Sequence, residues 1–197
     1  MKAPECIQTE RLVLRTYRPD DAEHIFQCYA QDKEVARFMS WKPHQSLEET
    51  KDFVKGRIDA WNRGDDFTWA VTKRDGSLIG GIGLRIRDRE FKAELGYLIG
   101  RPYWGRGYAT EALRAVVQWA LQQAQVFRVW AVCDVENAAS ARVLEKCGFE
   151  KEGLLRKCNV HPQVSNTPRD CLCYSIVREG TSQPSGAADA LPRTADL

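Results

Sequence analysis

Alternating apolar and polar positions predict four β-strands in the first half of the chain. Residues 11–15 read Arg-Leu-Val-Leu-Arg, and the same period-two alternation returns in residues 67–71, 78–84 and 93–99. Between the second and third of these segments, residues 74–77 read Arg-Asp-Gly-Ser, a turn of the Asp-Gly kind that joins antiparallel neighbours. The last three segments are therefore predicted to form an antiparallel meander.

Two helix starts are predicted in the same half. Asp20 is in position to cap a first helix, with Glu23 completing a capping-box-like pair. Ser46 and Glu49 repeat that signal, and this second helix is predicted to run to about Arg63.

The second half of the chain alternates between strands and helices. An apolar stripe at helical spacing predicts a helix over residues 107–123, and residues 127–133 are predicted to form a strand. Asn137 is expected to cap a short helix that ends at Gly148, and strands are expected from residue 149 and over residues 171–177. A meander followed by crossover connections indicates an α/β (α+β) fold, with one mixed, mostly antiparallel central sheet of about seven strands flanked by helices.

Composition and charge narrow the class of partner. The chain has 197 residues, of which 43% are hydrophobic, and its 29 basic and 27 acidic residues give a net charge of +2. This balance gives no electrostatic reason for a nucleic acid or an anionic membrane as main partner, so we expect neither. No apolar run approaches the length of a membrane span, and residues 1–10 lack the apolar stretch of a secretory signal. We therefore expect a cytoplasmic protein.

One domain is expected to occupy residues 1–179. Residues 180–197 are rich in Gly, Ser, Pro and Ala and contain no aromatic residue, so they are predicted to form a disordered C-terminal tail. The seven cysteines are odd in number and scattered, which indicates reduced thiols, and the three histidines are far apart in sequence. No metal is expected.

The segment that predicts chemistry is residues 94–112, a strand followed by a short loop and a helix. Gly105 and Gly107 remove side chains where the backbone turns, so the loop amides and the first helix turn can point at one anion. The same glycines would also suit a plain tight turn. A Walker loop is excluded because Gly-Lys-Ser/Thr is absent, whereas a dinucleotide fingerprint stays open, although Thr110 replaces its third glycine and Asp134 would have to bind the ribose.

Three motifs in order resemble the GNAT family of N-acetyltransferases. The loop Trp-Gly-Arg-Gly-Tyr-Ala at residues 104–109 resembles the family's pyrophosphate loop, in the version carried by its RimJ/RimL-like branch. Residues 137–149, from Asn-Ala-Ala-Ser to Lys-Cys-Gly-Phe, and residues 9–15, Thr-Glu-Arg-Leu-Val-Leu-Arg, match two further segments of that branch. The resemblance covers roughly residues 8–178 and implies the GNAT-like acyl-CoA N-acyltransferase fold.

The resemblance implies that acetyl-CoA is the co-substrate and that certain residues bind it. The backbone of Leu98 and Ile99 would pair with the pantetheine arm, and Asn137 and Ser140 would lie near the pantetheine amides and the thioester. The residues expected around the phosphates are Trp104, Gly105, Arg106, Gly107, Tyr108, Ala109 and Thr110. Arg106 would add a charge there, although an arginine in an exposed loop is also common without a ligand.

Two residues are candidates for the chemistry. Ser140 would donate a hydrogen bond to the leaving thiolate, although a first-turn serine is also an ordinary helix residue. Glu94 would take the proton of the amine, directly or through water, although it also suits a charged strand end. Tyr103 and Trp104 would line the acceptor cleft or simply pack. His161 lies in the connection 159–169 and is not expected to be catalytic.

The leading hypothesis is therefore an acetyl-CoA-dependent N-acetyltransferase that acts on a primary amine by direct attack in a ternary complex. A non-catalytic acyl-CoA-binding module and a nicotinamide-dependent oxidoreductase are the alternatives. The sequence leaves the acceptor open between protein N-termini and small-molecule amines, and it leaves open whether the protein is a homodimer.

Overall fold

The computed structural model describes residues 2–64, 66–87 and 91–178 and contains one mixed sheet. The strands are β1 (Cys6–Gln8), β2 (Leu12–Thr16), β3 (Asp66–Lys73), β4 (Leu78–Arg87), β5 (Lys92–Ile99), β6 (Arg128–Asp134), β7 (Glu150–Asn159) and β8 (Arg169–Val177). The helices are α1 (Asp21–Ile25), α2 (Lys33–Ala36), α3 (Leu47–Arg63), α4 (Tyr108–Gln122) and α5 (Ala138–Lys146). A π-helical turn (Phe26–Ala30) follows α1, and a 3₁₀ turn (Arg101–Tyr103) precedes α4.

The strand order is β1-β2-β3-β4-β5-β6-β8-β7, and every neighbouring pair is antiparallel except β5 and β6. The predicted fold class and the meander of β3, β4 and β5 are confirmed. The predicted number of about seven strands is corrected to eight. The additional strand is β1, a three-residue edge strand that pairs with β2 and whose sequence, Cys-Ile-Gln, is too short to show alternation.

The caps of α3 and α5 agree with the sequence. The Ser46 side chain accepts a hydrogen bond from the Glu49 amide, and Gly64 ends α3 with a φ of 80°. The Asn137 side chain accepts from the Ser140 amide at the start of α5, and Gly148 follows its end with a φ of 85°. These left-handed glycines close each helix where other residues would be strained.

The predicted capping pair of Asp20 and Glu23 is wrong. Asp20 stands at the N-cap position with helical backbone angles, and its side chain makes no capping hydrogen bond. The neighbouring Asp21 takes over instead, since it accepts the Arg18 amide at 2.7 Å and two hydrogen bonds from the Arg15 guanidinium. Arg15, a strand residue that the capping pattern does not include, therefore determines that Asp21 organises this turn.

Apolar side chains cover both faces of the sheet. On one face, the buried stripe of α4 packs over β2 to β6, together with Leu144 of α5. On the other face, α1, the π-helical turn and α3 pack over Ala70 and Leu78. Trp69 of β3 is fully buried, and its ring meets Trp61 of α3 and Trp119 of α4 edge to face, so one strand residue ties both layers together.

Three further expectations concern the C-terminal tail, membrane spans and the cysteines. The predicted tail over residues 180–197 lies outside the described residues. Among the helices that the structure describes, none is both long and apolar enough to cross a membrane. All seven cysteines are in described segments, and none is in a disulfide.

Gly80 of β4 supports a close approach to β5, and its substitution is the first testable prediction. A methyl group at Gly80 would overlap the carbonyl oxygen of Leu98, a backbone atom that cannot rotate away. We expect Gly80→Ala to lower the free energy of unfolding by about 1–3 kcal/mol, the usual cost of overpacking. Thermal or urea unfolding measures it.

Gly153→Ala is the matched control, because Gly153 is also in a strand and a methyl group there meets nothing within 4 Å. Equal stability of the two variants would contradict the close-approach argument.

Candidate active site

The site begins where β5 and β6 separate. The two strands pair in parallel at only three positions, which end at Glu94 and Trp130. Beyond these residues both strands continue, β5 to Ile99 and β6 to Asp134, without further pairing to each other. The result is a wedge-shaped gap within the sheet.

A cavity of about 500 Å³ lies along the β5 side of this gap. Its walls come from the second half of β5, the loop before α4, the first turns of α4 and α5, and the α2 segment. Most of the residues expected to bind the co-substrate line it, namely Leu98, Ile99, Trp104, Gly105, Gly107, Tyr108, Ala109, Thr110, Asn137 and Ser140. The structure thus brings Leu98 and Ser140, which are 42 positions apart in the sequence, to the wall of one cavity.

The loop before α4 has the geometry of an anion site. Gly105 and Gly107 have φ angles of 74° and 80°, in the left-handed region that favours glycine. Gly107 is the N-cap residue of α4, and no side chain caps this helix. The first-turn amides therefore have no intrahelical partners and face the cavity with the positive end of the helix dipole.

A polar clamp from the distant N-terminal hairpin fixes the loop. Glu111, in the first turn of α4, accepts hydrogen bonds from the Thr9 hydroxyl at 2.6 Å, the Arg11 amide at 2.8 Å and the Arg11 guanidinium at 2.6 Å. The same guanidinium donates to the Arg106 carbonyl at 3.0 Å and lies over the Tyr108 ring. Burial alone would raise the pKa of Glu111, but these hydrogen bonds outweigh it and lower the pKa.

The end of β5 offers its backbone to the wedge. The amide of Gly100 donates to Ile79 of β4, and the carbonyl of Phe91 accepts from β6, so odd-numbered residues of β5 direct their backbone groups toward the wedge. Ile99 is one of them, and its carbonyl accepts the Trp104 indole N–H at 2.6 Å. Leu98 directs its carbonyl toward Gly80 of β4 and contributes its side chain to the cavity wall.

Ser140 lies across the gap from β5. The Asn137 side chain holds its amide at 3.1 Å, and the Tyr97 phenol lies 2.8 Å from its hydroxyl. Tyr97 lines the cavity, and burial raises its pKa well above the ordinary value, although the Ser140 hydrogen bond opposes this. The sequence analysis did not select Tyr97, although period two places it on the strand face opposite Glu94.

Two predicted site residues lie outside the cavity wall. Arg106 is exposed, and only its carbonyl takes part in the clamp described above. Glu94 stands at the vertex of the wedge, where its carboxylate lies 3.9 Å from the Arg85 guanidinium across the β4–β5 pair. It belongs with Gly96 and Leu98 to the sheet face that α1 and α3 cover.

The sequence analysis missed the wall formed by α2 and its following turn. Glu34, Val35, Arg37, Phe38 and Met39 line the cavity on this side, and no local motif marks them. On the opposite side, Arg142 and Lys146 of α5 add two positive charges at a spacing of four residues.

His161 lies outside the cavity wall. His161 is buried, and its ring lies edge to face with Phe38, with Nε2 3.7 Å from the Asp134 carboxylate. Asp134 also accepts two hydrogen bonds from Arg169, which lower its pKa although burial opposes them. Within residues 2–64, 66–87 and 91–178, no cluster of three metal-ligating side chains occurs.

The Glu111 clamp generates a stability prediction with a defined pH dependence. Glu111→Gln removes the charge that Arg11 and Thr9 stabilise, so we expect the melting temperature at neutral pH to fall by roughly 2–4 °C, the shift produced by about 1 kcal/mol in a domain of this size. Because the pKa of Glu111 is lowered from 4.5 in the folded state, this contribution is complete above pH 4.5 and is lost as the pH falls through the folded value.

The measurement is thermal unfolding of both proteins from pH 7 to pH 3. Glu48→Gln is the control, since the Glu48 pair with Lys51 is exposed. A stability difference that stays constant over this pH range would contradict the clamp.

Comparisons with known proteins agree with this geometry. Residues 11–150, more than half of the chain, match the family model described as acetyltransferase (GNAT) domain. The uncharacterized N-acetyltransferase YoaA of Bacillus subtilis (strain 168) is 34% identical over 174 residues, which cover 87% of this chain and 96% of that protein. The ribosomal-protein-serine acetyltransferase of Escherichia coli (strain K12) is 28% identical over 152 residues, which cover 76% of this chain and 84% of that protein.

A solved structure shows the same fold at lower identity. The microcin C7 self-immunity acetyltransferase MccE, in complex with acetyl-CoA and AMP, superposes with a TM-score of 0.80 at 22% identity, over 89% of this chain and 97% of that chain. The family match and the relatives confirm the expected acetyl-CoA-dependent enzyme and remove the oxidoreductase alternative. The chain belongs to the GNAT family of acetyltransferases, in its RimJ/RimL-like branch.

Proposed function

We propose that this enzyme binds acetyl-CoA in the wedge between β5 and β6 and transfers the acetyl group directly to a primary amine that enters from the α2 side. The observation that carries this proposal is the continuous cavity, whose walls include the anion loop before α4, the unpaired end of β5 and the α2 segment. A ternary complex needs these openings to meet at one point, and the wedge provides that point.

The phosphates of acetyl-CoA would lie at the N-terminus of α4. The amides of residues 105–109 and the positive end of the helix dipole supply a preformed anion site, which the uncapped Gly107 supports. Arg142 and Lys146 would add charge from α5, since both line the same cavity. Arg106, which is exposed, would contribute mainly its amide.

The pantetheine arm would extend along the open side of β5. Its amides can pair with the backbone of Ile99, which faces the wedge, as a strand pairs with an exposed edge. Leu98 and Tyr103 would pack against the arm, and Asn137 would lie beside it. This arrangement directs the thioester toward the vertex of the wedge.

Glu94 would act on the attacking amine, and Ser140 would act on the leaving thiolate. The amine must be neutral to attack the thioester carbonyl, and Glu94 at the vertex would accept its proton directly or through water. The C–N bond forms and the C–S bond breaks with its electron pair on sulfur, where the Ser140 hydroxyl would stabilise the thiolate. The thiolate needs only modest help, because a thiol pKa is near 8.5.

We propose a protein N-terminal α-amine as the first acceptor to test. The E. coli relative is named as an enzyme for serine of a ribosomal protein, and α-amines with a pKa near 8 are more readily deprotonated than lysines near 10.4. Small-molecule amines are the second group in the same assay. The net charge of +2 also supports a reaction without a nucleic-acid or membrane partner.

Titration calorimetry of wild type with acetyl-CoA and with NAD tests the cofactor site, and two variants test the loop. Gly107→Ala and Gly107→Glu share the same backbone strain at a φ of 80°, so their difference isolates bulk and negative charge. We expect measurable acetyl-CoA binding for Gly107→Ala and at least about 100-fold weaker binding for Gly107→Glu, because the added carboxylate would repel the phosphates and compete with Glu111 for Arg11.

Equal affinity of the two folded variants would remove the phosphate-loop assignment. Turnover with a panel of N-terminal peptides and small amines then follows. Tight binding of acetyl-CoA without turnover of any amine would instead indicate the non-catalytic acyl-CoA-binding module.

Glu94→Gln tests the proposed base. We expect kcat to fall by about 100-fold, within the usual range for loss of a general base, while the dissociation constant for acetyl-CoA changes less than about twofold. The loss should be smaller at higher pH, where more of the amine is neutral without help. Full activity of the variant at neutral pH would show that Glu94 has no part in proton transfer.

A further inference from the structure

The hydroxyl of Ser140 lies near both diverging strands. Tyr97 of β5 places its phenol oxygen 2.8 Å from it. In β6, burial raises the pKa of the Cys133 thiol, and the neighbouring Ser140 hydroxyl lowers it. A thioester that threads between β5 and β6 must therefore pass this hydroxyl. The position of the hydroxyl follows from the Asn137 cap, which holds the Ser140 amide.

Two oxygens of Ser140 are within hydrogen-bond distance of the Tyr97 phenol. The phenol oxygen lies 2.8 Å from the Ser140 hydroxyl and 3.2 Å from the Ser140 carbonyl. That carbonyl has an α-helical partner, since α5 continues through Leu144. Tyr97 also stays protonated because burial raises its pKa, so it is a permanent donor. The phenol can donate to this carbonyl or, at the shorter distance, to the Ser140 hydroxyl oxygen, and the second arrangement leaves the hydroxyl proton available to a ligand.

A hydroxyl that accepts one hydrogen bond has its single proton left for another acceptor. Because a hydroxyl group rotates, its proton can turn toward a sulfur atom of a ligand that lies between the strands. Hydrogen bonds in series strengthen one another, because each polarises the next.

We propose that Tyr97 is a positioning residue that orients and polarises the Ser140 hydroxyl toward the thiolate of coenzyme A. No proton passes along the pair: the C–S bond breaks with its electron pair on sulfur, and the Ser140 hydroxyl, held by Tyr97, stabilises that charge by hydrogen bonding. This inference rests on the proposed function, and it adds a residue on β5 to a reaction whose other proposed groups are Glu94 and Ser140.

A double-mutant cycle tests the coupling. We expect Tyr97→Phe and Ser140→Ala each to lower kcat by about five- to tenfold, the value of one hydrogen bond, with the acetyl-CoA dissociation constant changed less than about twofold. The double variant should be no slower than Ser140→Ala, since Tyr97 acts only through Ser140. Losses that multiply in the double variant would overturn the proposal.

Tyr174→Phe is the matched control. Tyr174 is also a buried tyrosine that donates from a strand to α5, here to the Glu145 carboxylate at 3.0 Å, but it does not line the cavity. If Tyr97 merely holds α5 in place, both tyrosine variants should lower kcat alike. We expect kcat of Tyr174→Phe to remain within about twofold of wild type.

A binding measurement separates this inference from the proposed function. The ratio of affinities for coenzyme A and desulfo-coenzyme A at pH 9, where the thiol is largely ionised, measures the interaction with sulfur without any acceptor. We expect wild type to prefer coenzyme A and Tyr97→Phe to lose most of this preference. An unchanged ratio would refute the role of Tyr97, whereas absence of binding to either compound in wild type would refute the proposed function itself.

Discussion

The incomplete pairing of β5 with β6 is the constraint on which the rest of the molecule depends. β5 is held to β4 over eight paired positions and β6 to β8 over seven, but β5 and β6 share only three. Each strand is therefore anchored on its outer side and free on its inner side. Backbone groups inside a protein need hydrogen-bond partners. An extended ligand with amide groups can supply such partners along the inner edges of β5 and β6.

The surrounding elements convert this gap into a site of defined polarity. At one mouth, two left-handed glycines start α4 without a side-chain cap, which concentrates unpaired amides where an anion would lie. Arg11 and Glu111 hold that mouth to the first hairpin. At the other mouth, Phe38 and its neighbours supply an apolar wall with charged residues at its rim. A ligand with phosphates at one end and an uncharged arm at the other fits this gradient.

Local sequence patterns predicted most of the fold, because the features they predict depend on residues that are close together in the chain. Alternation, the turn at residues 74–77 and the caps at Ser46, Asn137 and Gly148 depend on neighbours within a few residues, and the structure confirms them. The patterns failed where distant contacts decide. Arg15 of β2, six residues away and outside the capping pattern, pairs with Asp21 and not with Asp20, and β1 exists because β2 accepts it as an edge partner.

In the candidate site, too, features set by local contacts could be predicted and features set by distant contacts could not. The loop before α4 was detectable, since glycine spacing is a local signal, but its clamp joins residues 100 positions apart. The α2 wall carries no motif, because its role depends only on where α1 and the π-helical turn place it. Tyr97 was within reach of sequence reasoning, because strand alternation places it opposite Glu94; its partner on α5 was not.

That alternation also accounts for how a single strand can serve both halves of the reaction. Even-numbered residues of β5 face the layer of α1 and α3, where Glu94 lies, and odd-numbered residues face α4 and α5, where Tyr97 meets Ser140. An amine that approaches from the α2 side would meet its base on one face, while the sulfur leaves toward hydroxyl groups on the other. The group that accepts the proton and the groups that stabilise the leaving thiolate would then be on different faces of the strand, so the charge that departs on sulfur does not compete with the proton that the amine must lose. A strand that is paired on one side and open on the other provides this separation without any additional element.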